Sequence, residues 1–469
     1  MAARWGEVTL KEIIVAIKGD LISGQRDQII EGLSTDSRGI KKGDLFLALK
    51  GLKYDGHDFI KQVMDKGAAG VVLQRDFEPK ISKDRNRALI TVTDTLNALG
   101  DLAGWWRHQQ RVRVAAITGS AGKTTTKEMS AAILGIGAST LKNEGNFNNL
   151  VGLPLTLLML KKDHRKAVLE MGMNRPGEIA RLTEIADPDI GLITNVGRAH
   201  LEGVGDIRGV ARAKVELLEE ISSDSHVLLN GDDDLLMEVA KPFQKTVSTY
   251  GLGSGNHIKA ENIGSLGREG SSFELQHEGG SFGIRLKVPG IQNVRNALAA
   301  SAIALCMETP VNQIVQGLKG FRGIKGRFMP TKLPGGAVLV DDTYNSNPTS
   351  LKAALNALKD LKPEGGRVLV GLGEMMELGQ ETVTAHTEAG GLVAEMGPFF
   401  FTAMGEHAKE MIRGAVDKGM SSKMAVLVET HQEMAQALRG KMDAGDLILL
   451  KGSRRAGLEK VVENLKGGC

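Results

Sequence analysis

The chain has 469 residues, which is too long for a single hydrophobic core and predicts two or three domains. Hydrophobic residues make up 42% and charged residues 25%, which excludes a disordered or collagen-like chain, and 2 cysteines exclude a disulfide scaffold. The 59 lysines and arginines barely exceed the 56 acidic residues, and the net charge of +3 disfavours broad electrostatic capture of nucleic acid. Because residues 1–21 carry no signal-peptide pattern and no apolar run is long enough for a membrane span, we expect a cytoplasmic protein without a membrane-spanning segment.

Short apolar runs alternate with helical patterns along most of the chain, which favours mainly parallel sheets covered by helices. The first hundred or so residues predict a small α/β unit whose last helix covers 95–109. The next strands are predicted at 112–117, 167–171, 190–196 and 226–229, with helices at 124–134, 177–186 and 207–221. Residues 251–288, which are rich in glycine and serine, predict antiparallel hairpins, and a helix at 293–306 follows.

A change to glycine, proline and basic residues near 322–334 indicates a domain boundary. Beyond it a strand is predicted at 338–341, and Asn347 and Pro348 supply the N-cap and first-turn proline of a helix at 349–361. Four more strands are predicted at 368–373, 399–404, 424–428 and 447–450. The predicted fold class is α/β with three domains: a small N-terminal α/β domain (1–110), a central P-loop mononucleotide-binding parallel sheet with appended hairpins (111–328) and a Rossmann-like C-terminal domain (329–469).

The sharpest local feature is a strand that runs through a glycine-bearing turn into a helix at residues 117–126. Backbone N–H groups of such a turn surround phosphate oxygens, and the helix N-terminus adds positive potential. Lys123 is expected to reach the β- and γ-phosphates and Thr124 to place its hydroxyl on Mg²⁺. The predicted ATP-binding residues of the loop are Gly119, Ser120, Ala121, Gly122, Lys123, Thr124 and Thr125. The loop lacks the first glycine of the strict Walker A pattern, and the loop alone does not separate a ligase from a GTPase, a transporter ATPase or a kinase.

Three residues further along the chain carry side chains that suit phosphoryl transfer. Glu170 closes a predicted strand, at the edge where open α/β sheets present metal-binding carboxylates. His200 follows the end of the next predicted strand, and Lys214 lies in a predicted helix. Each of the three, taken alone, is more often an ordinary packed or solvated residue.

Taken together, residues 119–126, Glu170, 195–200 and 213–216 resemble the central domain of the Mur ligases, a family that includes folylpolyglutamate synthetase. The resemblance implies an ATP-dependent carboxylate–amine ligase with ATP and Mg²⁺ as cofactors. It also implies that Lys214 is carbamylated and that Thr124, Glu170, His200 and the modified Lys214 hold Mg²⁺. Oxygen ligands suit Mg²⁺, whose charge offsets the charge that develops during phosphoryl transfer.

The same resemblance extends to residues beyond the central strands. It implies that Asn293 and Asn296 contact the adenine and that Arg327, between the domains, approaches the phosphates; Gln292 departs from the histidine found in many members. In residues 340–348 it implies that Asp342 contacts the ATP ribose and that the site is lined by Tyr344, Asn345 and Asn347. The loops 373–379 and 450–454 share the resemblance. The residues predicted to be catalytic are Lys123, Glu170, His200, Lys214 and Arg327.

A polar turn near the N-terminus is the candidate for a second anion site. Asp36, Ser37 and Arg38 form a turn whose hydroxyl and guanidinium donors suit a diphosphate or a uridine, although taken alone the turn is better explained as a solvated turn with a capping aspartate. The stretch resembles the uridine-nucleotide-binding domain of muramoyl-peptide ligases, which folylpolyglutamate synthetases lack.

For the whole chain, the resemblance implies an enzyme that joins D-alanyl-D-alanine to UDP-N-acetylmuramoyl tripeptide through an acyl phosphate. One alternative is a relative that adds the third amino acid to the UDP-muramoyl dipeptide, which residues 341–348 argue against. A P-loop regulatory NTPase module is the alternative from another class, and a nucleic-acid-dependent ATPase is weaker still. We expect small-molecule substrates, no nucleic-acid partner and, as the favoured oligomeric state, a monomer.

Overall fold

The computed structural model describes residues 3–51, 53–78, 85–243, 245–362 and 366–467, which form three β-sheets with helices packed against them. The predicted fold class, a three-domain α/β protein, is confirmed, while the domain limits at 110/111 and 328/329 stay a prediction. Within the described residues, no helix combines the length and the apolar character that a membrane crossing requires.

The N-terminal sheet has six strands in the order β1-β3-β4-β5-β6-β2, with its parallel strands in the centre and antiparallel pairs at both edges. Its strands are β1 (Ala3–Thr9), β2 (Asp20–Ser23), β3 (Ile29–Ser34), β4 (Asp44–Leu47), β5 (Gly70–Gln74) and β6 (Ala88–Val92), and its helices are α1 (Leu10–Ala16), α2 (Ile60–Asp65) and α3 (Thr95–His108).

Helix α3 joins this sheet to the next one. The side chain of Asp94 caps its N-terminus by accepting a hydrogen bond from Asn97 N. Trp106 Nε1 donates to Leu160 O at 3.1 Å, and Arg107 Nε donates to Ala186 O at 3.1 Å. Because both acceptors belong to the central part of the chain, α3 fastens the first unit to the second.

The central sheet has nine strands in the order β15-β14-β13-β12-β11-β10-β7-β9-β8, parallel from β8 to β13 and antiparallel from β13 to β15. Its strands are β7 (Arg113–Thr118), β8 (Thr140–Lys142), β9 (Lys166–Glu170), β10 (Ile190–Ile193), β11 (His226–Asn230), β12 (Thr246–Gly251), β13 (Ile258–Ser265), β14 (Ser271–His277) and β15 (Gly280–Leu286). Its helices are α4 (Lys123–Leu134), α5 (Gly152–Leu157), α6 (Glu178–Ala186), α7 (Leu201–Val204), α8 (Ile207–Glu220), α9 (Asp234–Ala240), α10 (Ile291–Cys306) and α11 (Val311–Gly320).

Two apolar layers sandwich the central sheet. Helices α4, α10 and α11 bury their apolar faces on one side, and α6 and α8 do so on the other. The predicted hairpins are present as β13, β14 and β15. The predicted strand 190–196 was too long, because β10 ends at Ile193 and the next residues leave the sheet to contact the loop after β7.

The C-terminal sheet has six strands in the order β16-β17-β21-β18-β19-β20, all parallel except the edge strand β16. Its strands are β16 (Met329–Lys332), β17 (Val338–Asp342), β18 (Val368–Gly373), β19 (Phe400–Met404), β20 (Ala425–Leu427) and β21 (Leu447–Lys451). Its helices are α12 (Pro348–Leu361), α13 (Thr382–Met396), α14 (Ala408–Asp417), α15 (His431–Arg439) and α16 (Glu459–Lys466).

Candidate active site

A cavity of about 720 Å³ lies where the carboxyl ends of β7, β9 and β10 face the C-terminal sheet. Parallel strands present their carboxyl ends at one edge, which is where ligands bind in open α/β sheets. The cavity draws its walls from the central part of the chain and from the start of the C-terminal part, so both contribute chemistry to one space.

The loop between β7 and α4 depends on two glycines. Gly119 has φ +144° and Gly122 has φ +85°, conformations that favour glycine. A Cβ on Gly119 would collide with Thr194 Oγ1, and one on Gly122 would collide with Asn296 Oδ1. Gly122 is also the N-cap residue of α4, so the free N–H groups of the first helical turn face the cavity.

The segment after β10 holds this loop in shape. Ala121 N donates to Asn195 Oδ1 and Asn195 Nδ2 donates back to Ala121 O, both at 3.0 Å. Ser120 Oγ donates to Gly197 O at 3.0 Å and accepts from Gly197 N at 2.9 Å. These paired bonds stabilise the open conformation of the loop, because its polar groups bond to the segment after β10 and not to each other.

Lys123 stands at the start of α4 and is surrounded by charge. Its Nζ donates to Gly119 O at 2.6 Å. Burial lowers the pKa of Lys123; the negative charge of Glu170 opposes that shift and the positive charge of Arg327 adds to it. A polyanion in the cavity would relieve the repulsion between the two cations.

Glu170 ends β9 with one of its carboxylate oxygens free. Oε1 accepts from Asn148 Nδ2 at 2.9 Å, whereas Oε2 is buried and has no partner within the described residues. The amide of Asn143 fixes the Glu170 backbone, accepting from its N–H at 2.9 Å and donating to its carbonyl at 2.8 Å. An unpaired buried carboxylate oxygen is costly, and a cation is the usual remedy.

His200 meets Glu377 across the two sheets. His200 Nδ1 lies 2.6 Å from Glu377 Oε2, and both residues have positive φ, +57° and +64°. The contact with His200 lowers the pKa of the Glu377 carboxyl. Non-glycine residues in this backbone region are strained and concentrate at functional sites.

Lys214 is buried in α8. Burial holds the pKa of its ammonium well below the ordinary value, the charge of Lys123 lowers it further, and Glu216 opposes the shift. Glu216 itself accepts from Gly177 N at 2.7 Å and from Ala180 N at 3.1 Å, which ties it to the start of α6. Burial therefore shifts the amine of Lys214 toward its neutral form relative to an exposed lysine.

Arg327 lies between the central and C-terminal parts. Its Nη2 donates to Thr124 Oγ1 at 3.1 Å, and its guanidinium carbon lies 4.0 Å from the ring centroid of Tyr344. Asp342 Oδ1 accepts from Phe328 N at 3.0 Å, and Asp342 Oδ2 pairs with the buried Lys451 at 2.7 Å. Burial lowers the pKa of Lys451, and Asp342 opposes that shift.

Asparagines occupy the remaining walls. Asn293 Nδ2 donates to Pro289 O at 2.7 Å, and Asn296 Nδ2 lies 3.4 Å from Asn293 Oδ1. Asn347 caps α12 by accepting from Ser350 N at 2.8 Å, and its Nδ2 donates to Ser120 O at 3.4 Å. Asn347 thus connects the C-terminal sheet to the phosphate loop.

Comparison with protein families gives three matches that run along most of the chain. They are "Mur ligase family, catalytic domain" over residues 29–107, "Mur ligase middle domain" over 117–304, and "Mur ligase, glutamate ligase domain" over 326–454. The chain belongs to the Mur ligase family.

Individual relatives match this Mur ligase over nearly its whole length. A UDP-N-acetylmuramoyl-tripeptide--D-alanyl-D-alanine ligase of Bacillus subtilis (strain 168) is 35% identical over 458 residues, 97% of this chain and 98% of that protein. A crystal structure of MurF from Acinetobacter baumannii superimposes with a TM-score of 0.89 at 32% identity and covers 99% of both chains. The MurF ligase of Thermotoga maritima in complex with ADP gives a TM-score of 0.83 at 27% identity, covering 92% of this chain and 96% of that one.

Most residues predicted for the site of this Mur ligase line the cavity. They are Ser120, Ala121, Gly122, Lys123, Thr124, Thr125, Glu170, His200, Asn293, Asn296, Arg327, Asp342, Tyr344, Asn345 and Asn347. Gly119 and Lys214 are not among the lining residues; Gly119 accepts from Lys123 Nζ, and Lys214 is buried close enough to Lys123 for their charges to interact.

The polar turn after β3 is not part of this cavity. Arg38 donates from Nε and Nη2 to the two carboxylate oxygens of Asp36, at 2.9 and 2.8 Å. These bonds lower the pKa of Asp36 to about 2. Lys66 Nζ donates to Ser37 O at 2.8 Å. A ligand that used both this turn and the cavity would have to be long.

Three residues of the site were missed by sequence reasoning. Asn143 and Asn148 hold Glu170, and Asp233 Oδ2 accepts from Val196 N at 2.7 Å behind the phosphate loop. Four asparagines among residues 143–149 were the available signal. Such a density of amide groups between a strand and a helix favours backbone capping over solvation.

Proposed function

We propose that this Mur ligase joins D-alanyl-D-alanine to UDP-N-acetylmuramoyl tripeptide, with conversion of ATP to ADP and phosphate, in the synthesis of a peptidoglycan precursor. Relatives with this printed activity match nearly the whole chain. The observation that carries the assignment is the approach of Lys123, the free oxygen of Glu170 and Arg327 to one cavity that the C-terminal sheet closes. A regulatory NTPase needs the phosphate loop, but its activity does not require a third domain that forms one wall of the nucleotide cavity.

In the first step, an oxygen of the tripeptide's terminal carboxylate attacks the γ-phosphorus and the bond to ADP breaks, which leaves an acyl phosphate. In the second, the amine nitrogen of the dipeptide attacks the acyl carbon, inorganic phosphate leaves and the nitrogen loses a proton. Lys123 and Arg327 offset the charge on the phosphate oxygens, and the domains align the three substrates. Catalysis is mainly positioning and electrostatics, since the protein forms no covalent bond with the substrates.

The residues at the phosphate loop fit a Mg²⁺ ion. The buried, unpaired Glu170 Oε2 and the Thr124 hydroxyl are hard oxygen donors, as this cation prefers. Within the described residues no group of three or more His, Cys, Asp or Glu side chains is arranged around a common metal position, so phosphate oxygens and water would complete the shell. When bound, the ion supplies positive charge to the transferring phosphoryl group.

His200 and Lys214 are proposed as further metal-binding residues. Glu377 contacts His200 through Nδ1, which leaves Nε2 available as a metal ligand. The neutral amine of Lys214 is the form that adds carbon dioxide to give a carbamate, which supports carbamylation. That product would place an anionic oxygen near Lys123 and relieve the repulsion between the two lysines.

The other proposed contacts are assigned to separate parts of the substrates. Asp36, Ser37 and Arg38 are proposed to hold the uridine-diphosphate end, since their turn lies apart from the cavity and carries phosphate-binding donors. Asn293 and Asn296 are proposed for the adenine, Asp342 for the ribose, and Asn345 and Asn347 for the dipeptide end. Because ATP is the cosubstrate, we propose that the reaction takes place in the cytoplasm.

Phosphate release from Mg-ATP, measured with UDP-muramoyl tripeptide and D-alanyl-D-alanine added singly and together, tests this function. We expect turnover only when both are present, with Lys123→Met inactive and Lys61→Met, an exposed lysine of the first domain, as the matched control. Turnover that ignores either peptide substrate would contradict the ligase assignment. Turnover with the UDP-muramoyl dipeptide and a diamino acid would instead identify the relative that adds the third residue.

A further inference from the structure

Tyr344 lies between two guanidinium groups at the edge of the cavity. The guanidinium carbon of Arg327 is 4.0 Å from its ring centroid, and that of Arg454 is 5.8 Å away. The residue is half-buried and follows β17 at the edge of the C-terminal sheet. The contacts that define its position are made by its ring and its backbone.

The backbone of Arg327 is fixed on both sides by the same part of the C-terminal sheet. Tyr344 N donates to Gly326 O at 3.1 Å, and Phe328 N donates to Asp342 Oδ1 at 3.0 Å. Gly326 has φ +76° and Phe328 has φ +52°, so the segment makes a tight, strained turn around Arg327. A Cβ on Gly326 would lie 3.3 Å from Tyr344 Cβ, which shows how closely the two chain segments approach each other.

These bonds fix the backbone around Arg327 but do not hold its long side chain in place. Its Nε is buried without a partner in the part of the chain that the structure describes, and a single bond of 3.1 Å joins its Nη2 to the Thr124 hydroxyl. The aromatic face of Tyr344, with its ring centroid 4.0 Å from the guanidinium carbon, is the second contact that holds the guanidinium near the phosphate loop. A cation held over a ring in a partly desolvated site gains from the ring quadrupole as well as from contact.

We propose that Tyr344 is a positioning residue for Arg327: its ring holds the guanidinium over the phosphate loop once the C-terminal sheet is docked. Tyr344 then acts on the phosphoryl group through Arg327, rather than by donating its hydroxyl to the dipeptide. The inference rests on the proposed ligase function and deepens it. The two roles differ in what they need, since positioning needs the electron-rich ring and substrate binding needs the hydroxyl.

The test replaces Tyr344 by phenylalanine and by phenylalanines with one, two and three ring fluorines. Fluorine withdraws the negative charge of the ring face while the shape changes little. Two quantities are measured: kcat of the dipeptide-dependent reaction and the dissociation constant of a non-hydrolysable Mg-ATP analogue. We expect kcat to fall progressively, by about 3-fold or more across the series, and analogue binding to weaken in the same order.

The same series in an Arg327→Met background, read by analogue binding, is the control, because methionine carries no charge for the ring face to attract. There we expect the slope to flatten, since the two residues act as one unit. A rise in the KM for the dipeptide on Tyr344→Phe, with kcat and analogue binding insensitive to fluorine, would overturn the proposal in favour of hydroxyl binding. Analogue binding does not depend on the acceptor, so failure of the ligase assignment and failure of this inference remain distinguishable.

Discussion

Three lysines lie at or near the cavity, with Lys214 and Lys451 buried and Lys123 partly buried, and the surroundings of each amine differ. Lys451 pairs with Asp342, Lys123 donates to a backbone carbonyl beside Glu170, and Lys214 is pushed toward its neutral form. A buried lysine without a strong partner loses charge rather than remain ionised. Sequence alone favoured a solvated position for Lys214, and only the resemblance placed it at the site; its burial in α8 gives that placement a physical basis.

The pKa of Lys214 makes stability depend on pH. The pKa of Lys214 is lower in the folded protein than in the unfolded chain, where it is about 10.4. At pH values between these two pKa values the unfolded chain binds more protons than the folded protein. Burial of this amine therefore lowers the free energy of unfolding increasingly as the pH falls. We expect Lys214→Met to raise the thermal midpoint of the protein at pH 7, and the gain to shrink toward zero as the pH approaches 10. Calorimetry from pH 6 to 10 in carbonate-free buffer measures it, with Lys61→Met as control. A gain that is constant with pH would mean that Lys214 titrates normally.

The free oxygen of Glu170 predicts a specific metal effect. Glu170→Gln keeps an oxygen for Asn148 Nδ2 but removes the charge that faces the cavity. We expect the Mg²⁺ concentration for half-maximal turnover to rise by about 10-fold or more, and Mn²⁺ binding in the presence of the ATP analogue, read by electron paramagnetic resonance, to weaken in parallel. Glu184→Gln, an exposed carboxylate paired with Arg181, is the matched control. An unchanged metal requirement would remove Glu170 from the metal site.

At the scale of elements, most of the predicted helix and strand limits lie within two residues of the observed ones. The N-cap and proline of α12 were readable because Asn347 and Pro348 act within one turn. The three-residue strand β8 was missed, and β10 was predicted too long, because both limits depend on pairing with distant partners. Beyond Ile193 the chain leaves the sheet, because Asn195 O accepts from Ser120 N of the phosphate loop and Val196 N donates to Asp233.

Helix α12 offers a prediction that separates a structural role from a functional one. Asn347 accepts from Ser350 N through Oδ1 and donates to Ser120 O through Nδ2. We expect Asn347→Ala to destabilise the protein by about 1 kcal/mol, whereas Asn347→Asp keeps the cap and most of that stability. The aspartate loses the donor to the phosphate loop, so we expect kcat to fall in both variants. Chemical denaturation and steady-state kinetics give the two readings, and an aspartate variant as active as the wild type would confine Asn347 to capping.

At the scale of the whole molecule, the site exists only because two sheets meet. Sequence motifs identified the residues one loop at a time, and most of them line the cavity, but the pairings that join the domains could not be read from motifs. Arg198 lies on the loop after β10 and pairs with Glu388 at 2.6 Å and Glu381 at 3.3 Å, while His200 faces Glu377. Each of these carboxylates is separated from its partner by more than 170 residues, so no local pattern encodes the contact.

These contacts predict that the docking of the C-terminal domain depends on charge. Exposed ion pairs contribute about 0.2–1 kcal/mol each, so loss of the two Arg198 pairs shifts an equilibrium between docked and undocked domains by a few-fold rather than completely. We expect Arg198→Ala to increase the radius of gyration in X-ray scattering, and high salt to increase it in the wild type, because salt screens exposed pairs. Saturation with the Mg-ATP analogue should reverse both changes, since the proposed nucleotide site has residues of both domains. Arg208→Ala, which removes a pair with Glu238 inside the central domain, is the matched control and should leave the scattering curve unaltered. Identical curves for Arg198→Ala and the wild type at every salt concentration would show that apolar packing, and not the Arg198 pairs, holds the domains together.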